Sequence, residues 1–101
     1  MKLELIQIRN LIDSKEKWTK HRLFDIRYDG IESRCVLGAI IKVLGSGSPK
    51  FTPIFEMLNS CLPSGVIGPV YRYNDLHSTT HSDMMILIDK AILISPESWS
   101  E

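Results

Sequence analysis

The densest run of groups able to do chemistry lies between Arg72 and Asp83. Arg72, Tyr73, Asn74, Asp75, His77, Thr80 and His81 place a guanidinium, a phenol, an amide, a carboxylate, a hydroxyl and two imidazoles in one short stretch. Thr80-His81-Ser82-Asp83 has the form of a capping box, with Thr80 as N-cap and Asp83 reaching back to its N–H. Aspartate is shorter than the usual glutamate or glutamine, which weakens the box. The bare N–H groups and the dipole of a helix that starts at Thr80 attract an anion. The same dipole disfavours a charged imidazole at His81, which is therefore expected as a neutral hydrogen-bonding group. These residues read as a site for a small polar ligand with its anionic group at the Thr80 end. Trp18, distant in sequence, is a candidate stacking platform for a ring. The mix of arginine, aromatic rings and amides suits a nucleotide-like ligand. A plainer reading is that Asn74-Asp75 is only a turn, each side chain bonding its own backbone.

His77, His81, Asp75 and Asp83 could supply acid–base groups, but no nucleophile–base pair, metal motif or cofactor loop accompanies them. A protein that is not an enzyme and holds no cofactor is expected. The three histidines have no Cys-x-x-Cys partner, and only His81 of the His77/His81 pair falls on the helix, so no metal site is expected. Gly45-Ser46-Gly47-Ser48-Pro49 lacks the Gly-Lys-Ser/Thr ending of a phosphate loop and reads as a flexible link. Cys35 has only Arg34 and a possible helix N-terminus to activate it; Cys35 and Cys61 read as buried free thiols.

The chain has 101 residues, 44% apolar and 24% charged, with zero formal net charge. A single small helical domain over 1–101, with a polar tail from about 95, is the expectation. Neutrality removes the electrostatic case for nucleic acid or a membrane surface. The Lys15, Lys17, Lys20, His21 and Arg22 cluster is diluted by Glu16 and Asp25 and reads as a solvated helix end. Met1 to Leu11 alternates charged and apolar residues, unlike a signal peptide, and no run approaches the ~18 apolar residues of a membrane span. A cytoplasmic protein is expected.

The elements follow from periodicity. Lys2 to Lys17 predicts a first helix with Leu5, Ile8, Leu11 and Ile12 as its stripe, closed by Trp18 with its N–H near the surface. Thr19 to Ser33 alternates like an extended excursion and contains the hairpin signal Asp29-Gly30. Arg34 to Leu44 predicts a second helix with Ser33 as N-cap and Gly45 past its end. Its Cys35, Gly38, Ala39 and Lys42 face would admit another helix closely. Phe51 to Leu62 predicts a third, capped at Thr52 with Pro53 in first position, and Val66 to Tyr71 an irregular segment. The last helix, from Thr80 to Ile94, is apolar on most sides, as a helix is when central to a core or shared with a second subunit; a homodimer is expected. Ser95-Pro96 stops it, and Trp99 in the tail is expected to dock on this domain or a neighbour. The fold is mainly α, with about four helices around one core and a short β-hairpin or extended excursion between helices 1 and 2.

Four pieces recur in a known order: Leu11-Ile12 to Trp18, Cys35-Val36-Leu37-Gly38-Ala39, Tyr73-Asn74-Asp75, and Thr80-His81-Ser82-Asp83 running into Asp89-Lys90-Ala91-Ile92. From about Leu5 to Ile92 the chain resembles a bacterial and phage domain family of unknown function. It departs from that pattern at Tyr73, where tryptophan is common, at Asp83, where glutamate is usual, and over Leu76 to Thr79, which lack small Ala-Pro-Gly residues. The resemblance implies a mainly helical fold and no known activity. With small size, it suggests a homodimeric ligand-binding module that senses or sequesters a nucleotide-like signal, as a phage-encoded anti-defence sponge would. The alternative is a protein-interaction or inhibitor module that uses the apolar last helix and takes no ligand. Whether the polar side chains of residues 72–83 line a pocket or bond to backbone separates the two.

Overall fold

The computed structural model describes residues 1–97, and Trp99 lies outside the described residues. Five α-helices and one two-stranded ribbon are present among them. Helix α1, Lys2–Leu11, buries Leu5 and Ile8. It stops well short of Lys17: Ile12 leaves helical geometry at φ −129°, and a single 3-10 turn, Lys15–Lys17, follows. The stripe of α1 ends there for a tertiary reason, because the Ile12 carbonyl is bound by His81 Nε2 at 2.7 Å.

The excursion forms the expected ribbon. β1, Asp25–Ile26, pairs antiparallel with β2, Glu32–Ser33, with Asp25 opposite Ser33. Gly30 at φ +85° turns the chain, and the Asp29 carboxylate accepts from Ile31 N at 3.1 Å. Arg34 does not open the next helix. Its N–H donates to the Lys17 carbonyl at 2.8 Å and its carbonyl accepts from Thr19 N at 3.1 Å, which stitches it beside Trp18. Helix α2, Val36–Leu44, is capped by Cys35, whose sulfur accepts from Gly38 N at 3.4 Å; Ser33 is not the cap. Gly45 ends it at φ +82°.

Helix α3, Phe51–Ser60, starts one residue before the expected cap, so Lys50 flanks it and Thr52 lies in its first turn. Pro53 still falls where no N–H is needed. Phe51, Phe55 and Tyr71 stack in a ladder, with ring centroids 5.6 and 5.9 Å apart. The stretch read as irregular and then as an Asn-Asp turn contains a short helix, α4, Val70–Asp75. Its start is satisfied from outside: Asn59 Oδ1 accepts from Val70 N at 2.7 Å. Helix α5, His81–Ile94, opens with the full capping box, Asp83 N donating to Thr80 Oγ1 at 3.1 Å and Thr80 N to Asp83 Oδ2 at 2.9 Å. Such a cap contributes about 1 kcal/mol.

The core gathers Leu5, Ile8 and Ile12, Val36 and Ile40, Ile54 and Leu58, Val70, and Met84 and Ile88, all fully buried. Helix α1 packs on α2 and α5, α3 on α5, and α4 against α2 and α3. Gly38 does admit a close neighbour, though not a helix. A Cβ built there would lie 1.8 Å from the Leu23 carbonyl oxygen of the excursion. Alanine would raise helix propensity by roughly 1 kcal/mol, but overpacking against backbone costs about 1–3 kcal/mol or more, and the second term wins. Gly38→Ala should lower the urea midpoint substantially; an unchanged or raised midpoint would show that the excursion does not press on α2.

Candidate functional site

The elements that carry the candidate residues meet at Asn74, which is fully buried near the end of α4. Its amide uses every position it has. Oδ1 accepts from Trp18 Nε1 at 2.7 Å and from Val36 N at 3.1 Å. Nδ2 donates to the Thr19 carbonyl at 3.1 Å and to Asp75 Oδ1 at 2.9 Å. An amide has two lone pairs and two protons, so nothing is left for a ligand. The Trp18 N–H is thus bonded inward, not near the surface as its place at a helix end suggested.

Asp75 extends the junction. The same Oδ1 accepts from His21 N at 2.9 Å, and Oδ2 lies 3.7 Å from His21 Nδ1. His21 holds a left-handed φ of +66°, a region in which histidine is enriched among non-glycine residues. Lys20 Nζ reaches the Leu76 carbonyl, which also accepts from Thr79 N at 3.1 Å, and, at 3.4 Å, the His77 carbonyl. It also sits 5.5 Å from the centre of the Trp18 ring. His81 lies 5.8 Å from the same ring system, tilted by 56°. A carbonyl only accepts, so the His81 Nε2 that meets Ile12 carries the proton, and the ring serves as a hydrogen-bonding group.

Trp18, Asn74, Asp75 and His81 therefore come together as the sequence suggested, but their polar atoms face one another and backbone. Thr80 is spent on the cap, and Asp83 itself supplies the negative charge at the start of α5. The other candidates diverge. Arg72 and His77 are exposed, with Arg72 beside a shallow groove formed by Gly65, Val66, Ile67 and Leu76. Tyr73 turns away into a groove of about 240 Å³ with Cys61, Asp83, Ile86 and Lys90. Burial pushes its phenol up, and the Asp83 charge adds to this. Thr79 Oγ1 lies close to that phenol but outside hydrogen-bonding geometry, and is buried without a partner among the described residues. Burial also pushes the Cys35 thiol up, against the weaker pull of the Gly38 and Leu37 N–H groups. Cys35 is thus a neutral cap and not a poised nucleophile.

Sequence reasoning missed the partners of this junction, because Ile12, Thr19, Leu76 and Val36 take part through backbone atoms that carry no residue signature. It also missed Arg34, read as the first residue of an apolar helix. Arg34 is 8% exposed, bonds Glu32 Oε1 through Nη2 at 2.9 Å, and lies against the Phe24 ring with its guanidinium carbon 4.7 Å from the centroid. Among the described residues no group of three or more His, Cys, Asp or Glu side chains is placed to hold a metal ion. No helix among them is long and apolar enough to cross a membrane.

The fold and the saturated junction define a small, mainly helical domain whose polar loop is tied into its own frame. The chain belongs to a family of unknown function, DUF6197, whose model matches residues 4–93. No curated protein and no solved structure matches it.

Two measurements test this geometry. Asn74→Ala orphans the Trp18 N–H, the Val36 N–H and the Thr19 carbonyl, each costing about 1–3 kcal/mol when buried. A loss of roughly 3 kcal/mol or more in denaturant unfolding is expected, and a loss below about 1 kcal/mol would mean that water reaches the junction. The raised Cys35 pKa gives a pH dependence with a definite sign. The folded state keeps its proton where the unfolded chain ionises, so this stability is present below the ordinary value of 9.0 and is lost as pH rises past it. Tyr73 adds the same trend above 10.0. Unfolding free energy should fall from pH 9 upward, and less steeply in Cys35→Ala. Parallel curves for the two proteins would exclude Cys35 as the source.

Proposed function

We propose that this domain is a non-enzymatic interaction module that pairs with a second copy of itself through the outer face of α1 and α5. The observation that carries this reading is the exposure of large aliphatic side chains on two helices that pack together: Leu3 62% and Ile6 37% on α1, Ile86 65%, Leu93 79% and Ile94 54% on α5. Leu3 and Ile6 are three residues apart, and Ile86 and Leu93 seven, so each pair shares a helix face. Asp89 lies between Ile86 and Leu93 along α5, and Arg9 one turn beyond Ile6. Their ion pair joins Arg9 Nε to Asp89 Oδ1, with Nη2 and Oδ2 3.4 Å apart, and draws the two aliphatic stripes side by side. Helix α5 thus has an apolar face in the core and a second that no described residue covers.

A second copy is the occupant that the charge pattern suits. The chain has zero formal net charge, so two copies meet without long-range repulsion. The same patch on each partner gives a closed, two-fold interface. Each Leu or Ile taken fully out of water contributes about 1.5–3 kcal/mol. The inward bonding of Asn74, Asp75, Thr80 and His81 supports this reading over capture of a ligand by that loop.

A second reading is capture of a small anionic molecule, in a phage or bacterial setting a signal nucleotide. One specific observation favours capture itself: the buried Arg34 guanidinium beside an apolar groove, away from the loop. The buried free thiols Cys35 and Cys61 support a reducing, cytoplasmic setting for both readings.

Sedimentation velocity tests the first. The wild-type chain should sediment as a dimer, and the double variant Ile86→Lys, Leu93→Lys as a monomer with unchanged circular dichroism. A wild-type monomer at high protein concentration would remove the reading.

A further inference from the structure

We propose that the groove between the extended excursion and α2 binds a small amphipathic carboxylate, with Arg34 receiving the carboxylate and Leu23, Phe24 and Ile41 holding the apolar body. This assigns a ligand class to the small-ligand reading and is independent of self-association.

The groove measures about 270 Å³ and is lined by Leu23, Phe24, Arg34, Gly38, Ile41 and Lys42. That is just below the ~300–1,000 Å³ typical of drug-sized ligands, so the occupant is smaller than those. The lining holds two cations and no carboxylate. Arg34 is nine-tenths buried, yet only Nη2 has an acceptor, Glu32 Oε1 at 2.9 Å. Nε and Nη1 have none among the described residues. Those two nitrogens are not among the side-chain atoms buried without a partner, so they open onto solvent in the groove, where the oxygens of an anion can take the place of water.

The geometry narrows the class. The guanidinium carbon lies over the Phe24 ring, 4.7 Å from its centroid, so the ring packs on the charged group at the groove wall. A carboxylate can meet the group edge-on, one oxygen on Nε or Nη1 and the other on the second Nη2 proton. The walls beyond are carbon: Leu23 and Phe24 are 51% and 45% exposed. They suit an aliphatic or aromatic body and would desolvate a second polar group without compensation. Arg34 is also positioned before a ligand arrives, because its N–H and carbonyl are held by Lys17 and Thr19. The contact of the Leu23 carbonyl with Gly38 seats the excursion against α2. Pre-organisation of this kind lowers the entropic cost of binding.

The experiment is a titration of the isotopically labelled full chain with octanoate, followed by amide chemical shifts, with octanamide as the uncharged control. Saturable shifts confined to residues 23–24 and 34–42 are expected, with octanamide about tenfold weaker. Lys42→Gln should weaken octanoate a few-fold without changing the circular dichroism, and Arg34→Gln should abolish saturable binding. Should Arg34→Gln not fold, Lys42→Gln and the octanamide control decide. Equal binding of octanoate and octanamide would overturn the assignment of a carboxylate while leaving the groove a ligand site. Absence of saturable shifts with either probe would overturn the proposal, while shifts at Arg34 on titration with a nucleotide alone would keep the small-ligand reading without it. Shifts confined to residues 3, 6, 86 and 93 would place the probe on the self-association face and overturn it as well.

Discussion

The amide of Asn74 holds three segments in one register through four hydrogen bonds, Trp18-Thr19, the start of α2 and its own helix α4, and most of the rest of the molecule inherits its placement from them. It sits where water is excluded, so each bond is stronger than on the surface and each vacancy would be dearer. Through Oδ1 it fixes the Trp18 ring and the first N–H of α2; through Nδ2 it fixes the Thr19 carbonyl and the Asp75 carboxylate. Arg34 lies between two of those anchors. Its own N–H and carbonyl are bonded to Lys17 and Thr19, on either side of Trp18, and the chain enters α2 two residues later. The position of the buried guanidinium is therefore a consequence of an amide on a different helix.

A second set of constraints decides which faces stay open. His81 closes the end of α1 by binding Ile12, and Lys2 N donates to the Pro96 carbonyl at 3.2 Å near the other end. With the Arg9–Asp89 pair between them, α1 and α5 are fastened along their length. Neither helix can rotate to bury Leu3, Ile6, Ile86 or Leu93 without pulling Leu5, Ile8, Met84 and Ile88 out of the core. The exposed aliphatic stripe is thus fixed by the same packing that stabilises the domain, and no described residue covers it.

What was legible in the sequence is what depends on near neighbours. The Thr80–Asp83 box closes over three residues, and Asp29-Gly30 turns the ribbon locally. The apolar stripes of α1, α2, α3 and α5 follow from periodicity alone. Long-range demands were not legible. Asn74 meets Trp18, Thr19 and Val36 at sequence separations of 56, 55 and 38 residues. An Asn-Asp pair has the same local chemistry whether it closes its own turn or bonds across the fold. Helix α4 was hidden because Pro69 and Asn74-Asp75 are turn signals, while its start is satisfied by Asn59 from α3. The early stop of α1 needed His81, and the Cys35 cap needed a thiol where an oxygen is usual. At the candidate site, residue types singled out the right meeting point in Trp18, Asn74, Asp75 and His81. They did not say that its hydrogen bonds were already spent.

That distinction separates a polar cluster that binds from one that builds. A binding cluster keeps donors or acceptors unused and accessible; a building cluster uses them up. Asn74 belongs to the second kind by full count of its bonds, and Asp75, Thr80 and His81 each bond backbone elsewhere in the chain. Arg34 meets the first criterion, with two of its three guanidinium nitrogens unpaired among the described residues beside a groove. Its backbone is pinned on both sides, so occupancy of the groove can reorient the side chain and Glu32 without moving α2. A ligand that leaves the frame unmoved has no differential interaction with which to shift pairing at α1 and α5. The two proposed faces, a surface for association and a receptor for an anion, are therefore independent of each other.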